Sequence, residues 1–339
     1  MNFITSLLSD IAIKGLIVRK HEEVFARHGV SASEDDFYYK TNYLLSNSDE
    51  FLEDARPITA KIIHIGGIAL TEKAQLNNEF QELMDRKDRV GAVYISFGSI
   101  VPTKEMPSVF REAIIHVAEA FPKITFIWKV DKDDSVPQLA NLHTFAWLPQ
   151  QALLDHPKLL CFVSHAGLNS VLEVTRSGKP SILVPIFGDQ FRNSRLVEAK
   201  NTTVVMSKEN FNNQTFEETL RHVLSDESLI KQKESRSWRN SRECDFSDFI
   251  PLSQMKLLLL LVLTSNAIES YKILVYSAPL GYSHMQFMGR MADILQEAGH
   301  EVTVLHPVWM PKYLHGVSKM AKQVCFPSFS DCVYPLKFF

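Results

Sequence analysis

Short apolar runs rich in β-branched residues alternate with helical patterns between residues 91 and 225. The runs predict five strands, at 92–97, 124–129, 160–164, 181–186 and 202–206. The patterns between and after them predict four helices, near 104–120, 169–177, 190–200 and 215–224. Because strands that are apolar throughout must be covered on both faces, this alternation predicts a doubly wound, parallel α/β sheet.

Polar residues follow these runs at the points where strands end. "GS" (98–99) follows the first run, "WLPQ" (147–150) follows "HTFA", "HAGLNS" follows "LLCFVS", and "GDQ" (188–190) follows "SILVPIF". Ligands of doubly wound folds bind outside the carboxyl ends of the strands. Four strand ends that place polar groups at one edge therefore predict a ligand site there.

The stretch "SHAGLNSVLE" (164–173) has the residue types of a phosphate site. Gly167 would let the backbone turn sharply, and Asn169 and Ser170 stand where helix caps are preferred. The free N–H groups and the positive end of the helix dipole suit a phosphate, to which His165 would add a hydrogen bond. Glu173, one turn further on, suits the hydroxyl pair of a ribose. The stretch thus favours a nucleoside diphosphate.

Each of these residues also has a simpler interpretation when it is taken alone. Asn169 and Ser170 could merely cap a helix, and Asp189 with Gln190 could be an N-cap pair. His165 could be a satisfied core histidine, Trp147 a core aromatic and Glu173 a solvated helix residue. Their joint occurrence at one sheet edge favours the ligand site.

Length and composition allow about two domains with full cores, because the chain has 339 residues of which 45% are hydrophobic. A net charge of −3 gives no support for a nucleic-acid surface. The four cysteines form no CxxC pair and the histidines no HExxH motif, so no structural metal is predicted. Residues 1–70 predict a short strand, a polar loop and a second strand that ends at Gly66-Gly67.

The chain shows neither a signal peptide at its start nor a membrane span. Residues 1–8 are apolar but lack a basic start and a cleavage region. No apolar run approaches the 18 or so residues that a spanning helix needs. The chain is therefore expected to be soluble as it stands.

Residues 147–194 resemble the signature region of the UDP-glycosyltransferases, the family that includes the glucuronosyltransferases. The resemblance rests on WLPQ, HPK, SHAGLNS, Glu173, GKP and GDQ followed by Asn193, and "VYISFGSIV" (93–101) and "FIWKV" (126–130) resemble segments upstream. It implies a GT-B-like architecture, in which a Rossmann-like donor domain faces an acceptor domain across a cleft. "NSDEFLEDARPITAKIIHIGGI" (47–68) resembles the crossing from the acceptor domain to the donor domain.

The resemblance also implies roles for ten residues of a UDP-sugar site. Uracil would stack on Trp147, and Gln150 and Glu173 would meet the ribose. Four residues would hold the diphosphate, namely Ser99, His165, Asn169 and Ser170, while Gly167 would let the backbone come close to it. Asp189 and Gln190 would meet the donor sugar. No cofactor is implied besides the UDP-sugar, which is a co-substrate, and no metal.

A second family resemblance lies late in the chain. Residues 255–270, "MKLLLLLVLTSNAIES", have the basic start, apolar run and small-residue end of a signal peptide, although a short buried helix is the alternative. Residues 271–308 predict a strand, a loop, an amphipathic helix and a strand, and they resemble the opening of the acceptor domain. In that family the histidine matching His284 is the general base that deprotonates the acceptor hydroxyl.

The chain therefore resembles the back part of one glycosyltransferase joined to the front of another. The expected parts are the end of an acceptor domain (1–70), the donor domain (71–230), an irregular junction (231–254), the signal-like segment (255–270) and a second acceptor start (271–339). We hypothesise that two tandem genes were joined, and transcript reads across codons 245–260 would test this. A rearranged protein, in which 271–339 docks onto 1–70, is the alternative.

Three functions follow from this sequence. The first is inverting, metal-independent transfer of a hexosyl or glucuronosyl group from a UDP-sugar to a small lipophilic acceptor, at the endoplasmic reticulum membrane by family resemblance. The second is UDP-sugar binding without catalysis, because the acceptor half is incomplete. The third, a nicotinamide-dependent enzyme, lacks the G-x-G-x-x-G that should follow the first strand.

Overall fold

A computed structural model describes residues 43–68, 70, 75–132, 134–225, 270–277, 282–308 and 318–327. The chain divides into two compact units, Met1–Glu50 with Ala55–Ile65, and Phe51–Asp54 with Gly66–Phe339. The expected junction at 231–254 and all but the last residue of the signal-like segment 255–270 lie outside the described residues.

The smaller unit contains a pair of parallel strands. These are β1 (Leu44–Ser46) and β2 (Ile62–His64), which confirm the predicted order of strand, polar loop and strand. A hydrogen bond of 2.8 Å between Ser48 Oγ and His64 Nδ1 ties the loop to the second strand.

A six-stranded parallel sheet forms the centre of the larger unit. Its strands are β3 (Gly91–Ser96), β4 (Ile124–Lys129), β5 (Leu142–Phe145), β6 (Leu159–Ser164), β7 (Ser181–Leu183) and β8 (Thr203–Val205). Their order is β5-β4-β3-β6-β7-β8, and every pair is parallel. The chain runs outward from β3 on one side and from β6 on the other, so the carboxyl ends of β3 and β6 border the crevice where such sheets bind ligands.

Helices cover both faces of this sheet, as predicted. They are α1 (Asn78–Met84), α2 (Ser108–Ala120), α3 (Gln150–Asp155), α4 (Leu168–Ser177), α5 (Gln190–Glu198) and α6 (Asn213–Ser225). Alternate residues of β3 enter two separate cores. Val93 and Ile95 pack with α2 and α6, whereas Ala92 and Tyr94 pack with α1 and α3.

Prolines account for two differences from the predicted boundaries. The helix predicted from residue 104 begins only at Ser108, because Pro107 forces Met106 into an extended conformation. The strand predicted to residue 186 ends at Leu183, shortly before Pro185, which has no N–H for the ladder. β5 was predicted only as the strand end "HTFA", since its alternating burial gives no continuous apolar run.

The last described elements form a separate three-stranded parallel sheet with one helix. They are β9 (Lys272–Tyr276), α7 (Tyr282–Glu297), β10 (Glu301–Val308) and β11 (Lys322–Pro327), with the strand order β11-β10-β9. The predicted strand, helix and strand are confirmed, and β11 was not predicted. None of the helices in the described ranges is long and apolar enough to cross a membrane.

Substitution of Leu153 tests the core in which α3 packs against the sheet. Its side chain is fully buried, so Leu153→Ala should lower the free energy of unfolding by about 2–5 kcal/mol. Val109→Ala, at a helix position that is 43% exposed, should change it by about 0.5 kcal/mol or less. Urea unfolding of both variants measures this, and equal losses would contradict the assigned core.

Candidate functional site

A cavity of about 290 Å³ lies at the carboxyl ends of β3, β4, β5 and β6. Eight of the ten residues expected to hold a UDP-sugar line it: Ser99, Trp147, Gln150, His165, Gly167, Asn169, Ser170 and Glu173. The structure therefore brings together groups from three strand ends that are distant in sequence. It does so at the crevice between β3 and β6, where the direction of winding changes.

The turn between β6 and α4 differs from the prediction. Gly167 is extended, with φ −61° and ψ 142°, and the left-handed residue is Ala166, with φ 64°. The expectation that Gly167 makes the sharp turn is therefore wrong. Asn193 supports the strained residue, since its Nδ2 donates to the Ala166 carbonyl oxygen at 3.2 Å.

Two glycines leave room for the ring of His165. A Cβ on Gly167 would lie 2.6 Å from Nε2 of His165, and a Cβ on Gly98 would lie 2.7 Å from both Cε1 and Nε2 of that ring. Gly98 also has φ +86°, which other residues rarely adopt. The glycines after β3 and β6 thus allow the two turns to close on one imidazole.

Helix α4 begins without a side-chain cap. Its N-cap is Gly167, which makes no side-chain cap hydrogen bond. Asn169 and Ser170 therefore lie inside the first turn, and the interpretation of these two residues as caps is wrong. The first N–H groups of a helix have no acceptor within the helix, and they carry the positive end of its dipole. At α4 this end borders the cavity.

A network of amides and a carboxylate forms another part of the cavity wall. Gln150 Nε2 donates to Ser170 Oγ at 3.0 Å and also to Glu173, while Gln151 Nε2 donates to the other carboxylate oxygen of Glu173 at 3.1 Å. The hydroxyl of Tyr94 donates to Gln150 Oε1 at 2.9 Å, which fixes the amide orientation. Tyr94 and Gln151 were not predicted, although Gln151 directly follows WLPQ.

Glu173 is the acidic group of this network, and its surroundings shift its pKa. Burial raises the pKa of Glu173, and the hydrogen bonds from Gln150 and Gln151 oppose that rise. Each carboxylate oxygen has a second lone pair. Glu173 can therefore accept hydrogen bonds from ligand hydroxyls while it keeps its glutamine partners.

Lys129 places a positive charge beside the cavity. It ends β4, its Nζ donates to the Gly98 carbonyl oxygen at 3.0 Å, and Nζ lies 5.2 Å from the centroid of the Trp147 ring. Sequence reasoning missed Lys129 as a site residue. The available signal was a lysine at the end of an otherwise buried strand.

The pKa of His165 is lowered to about 4, first by burial and then by the charge of Lys129. The backbone of Ser96 and the carboxylate of Asp189 act in the opposite direction. The imidazole is therefore neutral at pH 7. A neutral imidazole can donate one hydrogen bond to a phosphate oxygen without adding charge.

Trp147 is 60% exposed where it borders the cavity. The interpretation of this residue as a core aromatic is therefore wrong. An exposed indole face is available to stack on a planar ligand group.

Asp189 and Gln190 do not line the cavity. Gln190 is buried, and its Oε1 accepts the N–H groups of Ile186 and Phe187 at 2.9 and 3.1 Å. Asp189 accepts a hydrogen bond of 2.8 Å from Asn193 and caps α5 with no side-chain bond. The roles of these two residues toward a donor sugar stay predictions.

His284 also lies outside the cavity lining, whereas Gln286 of the same helix belongs to it. His284 is exposed in the first turn of α7. Residues two apart on a helix point about 200° away from each other. The structure thus does not bring His284 to the cavity, and its role as general base stays a prediction.

Comparison with known proteins points to one group of enzymes. A family model described as "UDP-glucoronosyl and UDP-glucosyl transferase" matches residues 1–235. The chain is 35% identical over 180 residues to the Caenorhabditis elegans protein named UDP-glucuronosyltransferase ugt-48, covering 51% of this chain and 34% of that one. It is 29% identical over 229 residues to human UDP-glucuronosyltransferase 1A6, covering 67% and 42%. The chain thus spans less than half the length of these relatives.

A solved structure supports the fold. The crystal structure of the glycotransferase of kitacinnamycin superposes with a TM-score of 0.52 and 18% identity, covering 64% of this chain and 56% of that one.

Within the described ranges, no group of three or more histidine, cysteine or acidic side chains could hold a metal ion.

The protonation of His165 provides a test of this site. Its NMR titration should give a pKa of about 4. Because this folded-state value lies below the unfolded value of about 6.5, the neutral ring stabilises the fold above about pH 6.5. That contribution should be lost as the pH falls through about 4.

Substitution of Lys129 separates the effect of its charge from that of burial. Lys129→Met should raise the pKa of His165, and Lys104→Met, at an exposed lysine, should leave it unchanged. A wild-type titration near pH 6.5, or no response to Lys129→Met, would contradict the assigned electrostatics.

Proposed function

Because the chain belongs to the family of UDP-glucuronosyl and UDP-glucosyl transferases, we propose that it binds a UDP-sugar at the carboxyl edge of the six-stranded sheet. We further propose that it transfers the hexosyl or glucuronosyl group to a hydroxyl of a small lipophilic acceptor. The observation that carries the proposal is the cavity at the carboxyl ends of β3 and β6. There the start of α4, Lys129 and the Gln150–Glu173 network meet.

The diphosphate is proposed to lie against the start of α4. The positive helix end and the charge of Lys129 favour an anion there. Ser99, His165 and Asn169 line the same cavity with polar groups that can donate hydrogen bonds. The positive helix end, the charge of Lys129 and these neutral donors together suit a group with two negative phosphates.

The nucleoside is proposed to lie between Trp147 and Glu173. The exposed indole of Trp147 offers a stacking face for uracil. Glu173 and Gln150 are held in fixed orientations by the Tyr94 hydroxyl and the neighbouring amides. A preorganised carboxylate suits the two vicinal hydroxyls of a ribose.

The proposed reaction is a single displacement without a metal. The acceptor oxygen attacks the anomeric carbon as its proton passes to a base, and the bond from that carbon to the β-phosphate oxygen breaks. The electron pair leaves with UDP, and attack from the opposite face inverts the configuration. The start of α4 and Lys129 would stabilise the charge that develops on the diphosphate.

A second candidate function is UDP-sugar binding without transfer. It is favoured by the position of His284, the expected base, which does not line the cavity. It also agrees with the family match, which ends at residue 235, before the segment that contains His284. The hypothesis that two genes were joined would account for this order.

The location proposed on family grounds is the endoplasmic reticulum membrane. The resemblance to glucuronosyltransferases supports it, as human UDP-glucuronosyltransferase 1A6 is among the relatives. Small lipophilic acceptors partition into membranes, so a membrane location would bring this chain close to them.

Isothermal calorimetry with UDP tests the binding site. Gly167→Ala should weaken UDP binding at least about tenfold, because the added Cβ would lie 2.6 Å from His165 Nε2 and displace the ring. Gly178→Ala is a matched control at φ +63°, where a Cβ meets nothing within 4 Å. It should cost about 1 kcal/mol of stability and leave UDP affinity unchanged. Unaltered affinity in Gly167→Ala, or no binding by the wild type, would contradict the proposal.

Transfer to a phenolic acceptor separates an enzyme from a binding protein. If His284 is the base, His284→Ala should abolish product formation while it retains UDP affinity. Arg290→Ala, at an exposed position of the same helix, should keep both. UDP binding by the wild type with no product would rule out transfer by this chain and support the binding function.

A further inference from the structure

Gln286 lines the cavity together with residues that lie more than a hundred positions earlier in the chain. It borders the main cavity with Asn169 and Glu173. It also borders a smaller adjoining cavity of about 10 Å³, whose wall includes Leu172 and Gln151. A void of that volume holds about one water molecule. The start of α7 thus borders the same two cavities as α4, beside Glu173.

The chemistry of Gln286 suits this position. A carboxamide both donates and accepts hydrogen bonds, as a sugar hydroxyl does. Among the described residues, no partner forms a hydrogen bond with the Gln286 amide. Glu173, by contrast, already accepts from Gln150 and Gln151. No described residue therefore competes with a ligand for the Gln286 amide.

The helix that carries Gln286 is held firmly by its own lobe. Met285 is buried, and Ala292 packs in a core with Val302 and Val304. Asp293 accepts hydrogen bonds from the Ser318 hydroxyl at 2.6 Å and from the backbone N–H of Met320 at 3.0 Å. These contacts fix α7 within its own lobe, so the backbone position of Gln286 in that lobe is set before any ligand binds.

We propose that Gln286 binds the ribose hydroxyls of the nucleotide, so that the start of α7 completes the donor pocket within the same chain. The proposal rests on the proposed function. It assigns to this late segment a contact with the donor that is separate from the catalytic role expected of His284. Two residues that point about 200° apart on α7 cannot both face the cavity, and in this arrangement Gln286 is the one that does.

Calorimetry with two nucleotides tests the hydroxyl contact. Gln286→Ala should weaken UDP binding about fivefold, the effect of losing about one net hydrogen bond. It should weaken 2′,3′-dideoxy-UDP less than about twofold, because the hydroxyls that Gln286 would meet are absent. Arg290→Ala, on the exposed side of the same helix, should leave both affinities unchanged. Equal losses for the two nucleotides, or no loss for UDP, would overturn the proposed contact.

UDP binding by the wild type distinguishes failure of the Gln286 contact from failure of the proposed function. Wild-type binding of UDP with an unaffected Gln286→Ala variant overturns the contact and leaves the proposed function standing. Absence of wild-type binding overturns the proposed function itself, and with it the ribose contact.

Chemical cross-linking tests the docking of α7 without any nucleotide. A Gln151→Cys/Gln286→Cys variant treated with a short bis-maleimide should give an intramolecular cross-linked peptide by mass spectrometry. The matched Gln151→Cys/Arg290→Cys variant should give less of it. Equal yields, or no cross-link in the first variant, would overturn the docking.

Discussion

The close approach of two strand-to-helix turns around the ring of His165 is the constraint on which the site depends. The turns follow β3 and β6, which are neighbours in the sheet. They can meet only because Gly98 and Gly167 have no Cβ to strike the imidazole. Lys129 joins the same arrangement through its hydrogen bond to the Gly98 carbonyl oxygen. This packing directs the start of α4 into the cavity.

A partly buried polar network in the cavity wall has its hydrogen bonds in place before a ligand arrives. Tyr94 orients Gln150, and Gln150 and Gln151 hold Glu173. In a low-dielectric environment an unpaired polar group would be costly, so the amides stabilise the carboxylate and limit its motion. A ligand hydroxyl then meets groups whose orientation has already been set, which reduces the entropy lost on binding.

The sequence was informative where the candidate site residues directly follow the end of a strand. Polar residues after buried strands predicted the sheet edge at which the cavity lies, because the carboxyl ends of parallel strands meet there. For Gln190 the role toward a donor sugar stays a prediction, because adjacency to a strand end does not decide whether a side chain turns toward a cavity or, as its amide oxygen does here, back to its own loop. Reasoning from the local sequence failed for Gly167. A glycine is needed there because a Cβ would strike the neighbouring ring of His165, and not because the local backbone makes a sharp turn. Lys129 and Gln286 depend on contacts distant in sequence, which periodicity cannot reveal.

A crystal structure of the chain with UDP tests the central claim most directly. The account predicts density for the diphosphate at the start of α4 beside His165 and Lys129, uracil against Trp147, and ribose hydroxyls within hydrogen-bonding distance of Glu173. Density for UDP at another surface, or an empty cavity in crystals grown with saturating UDP, would contradict it.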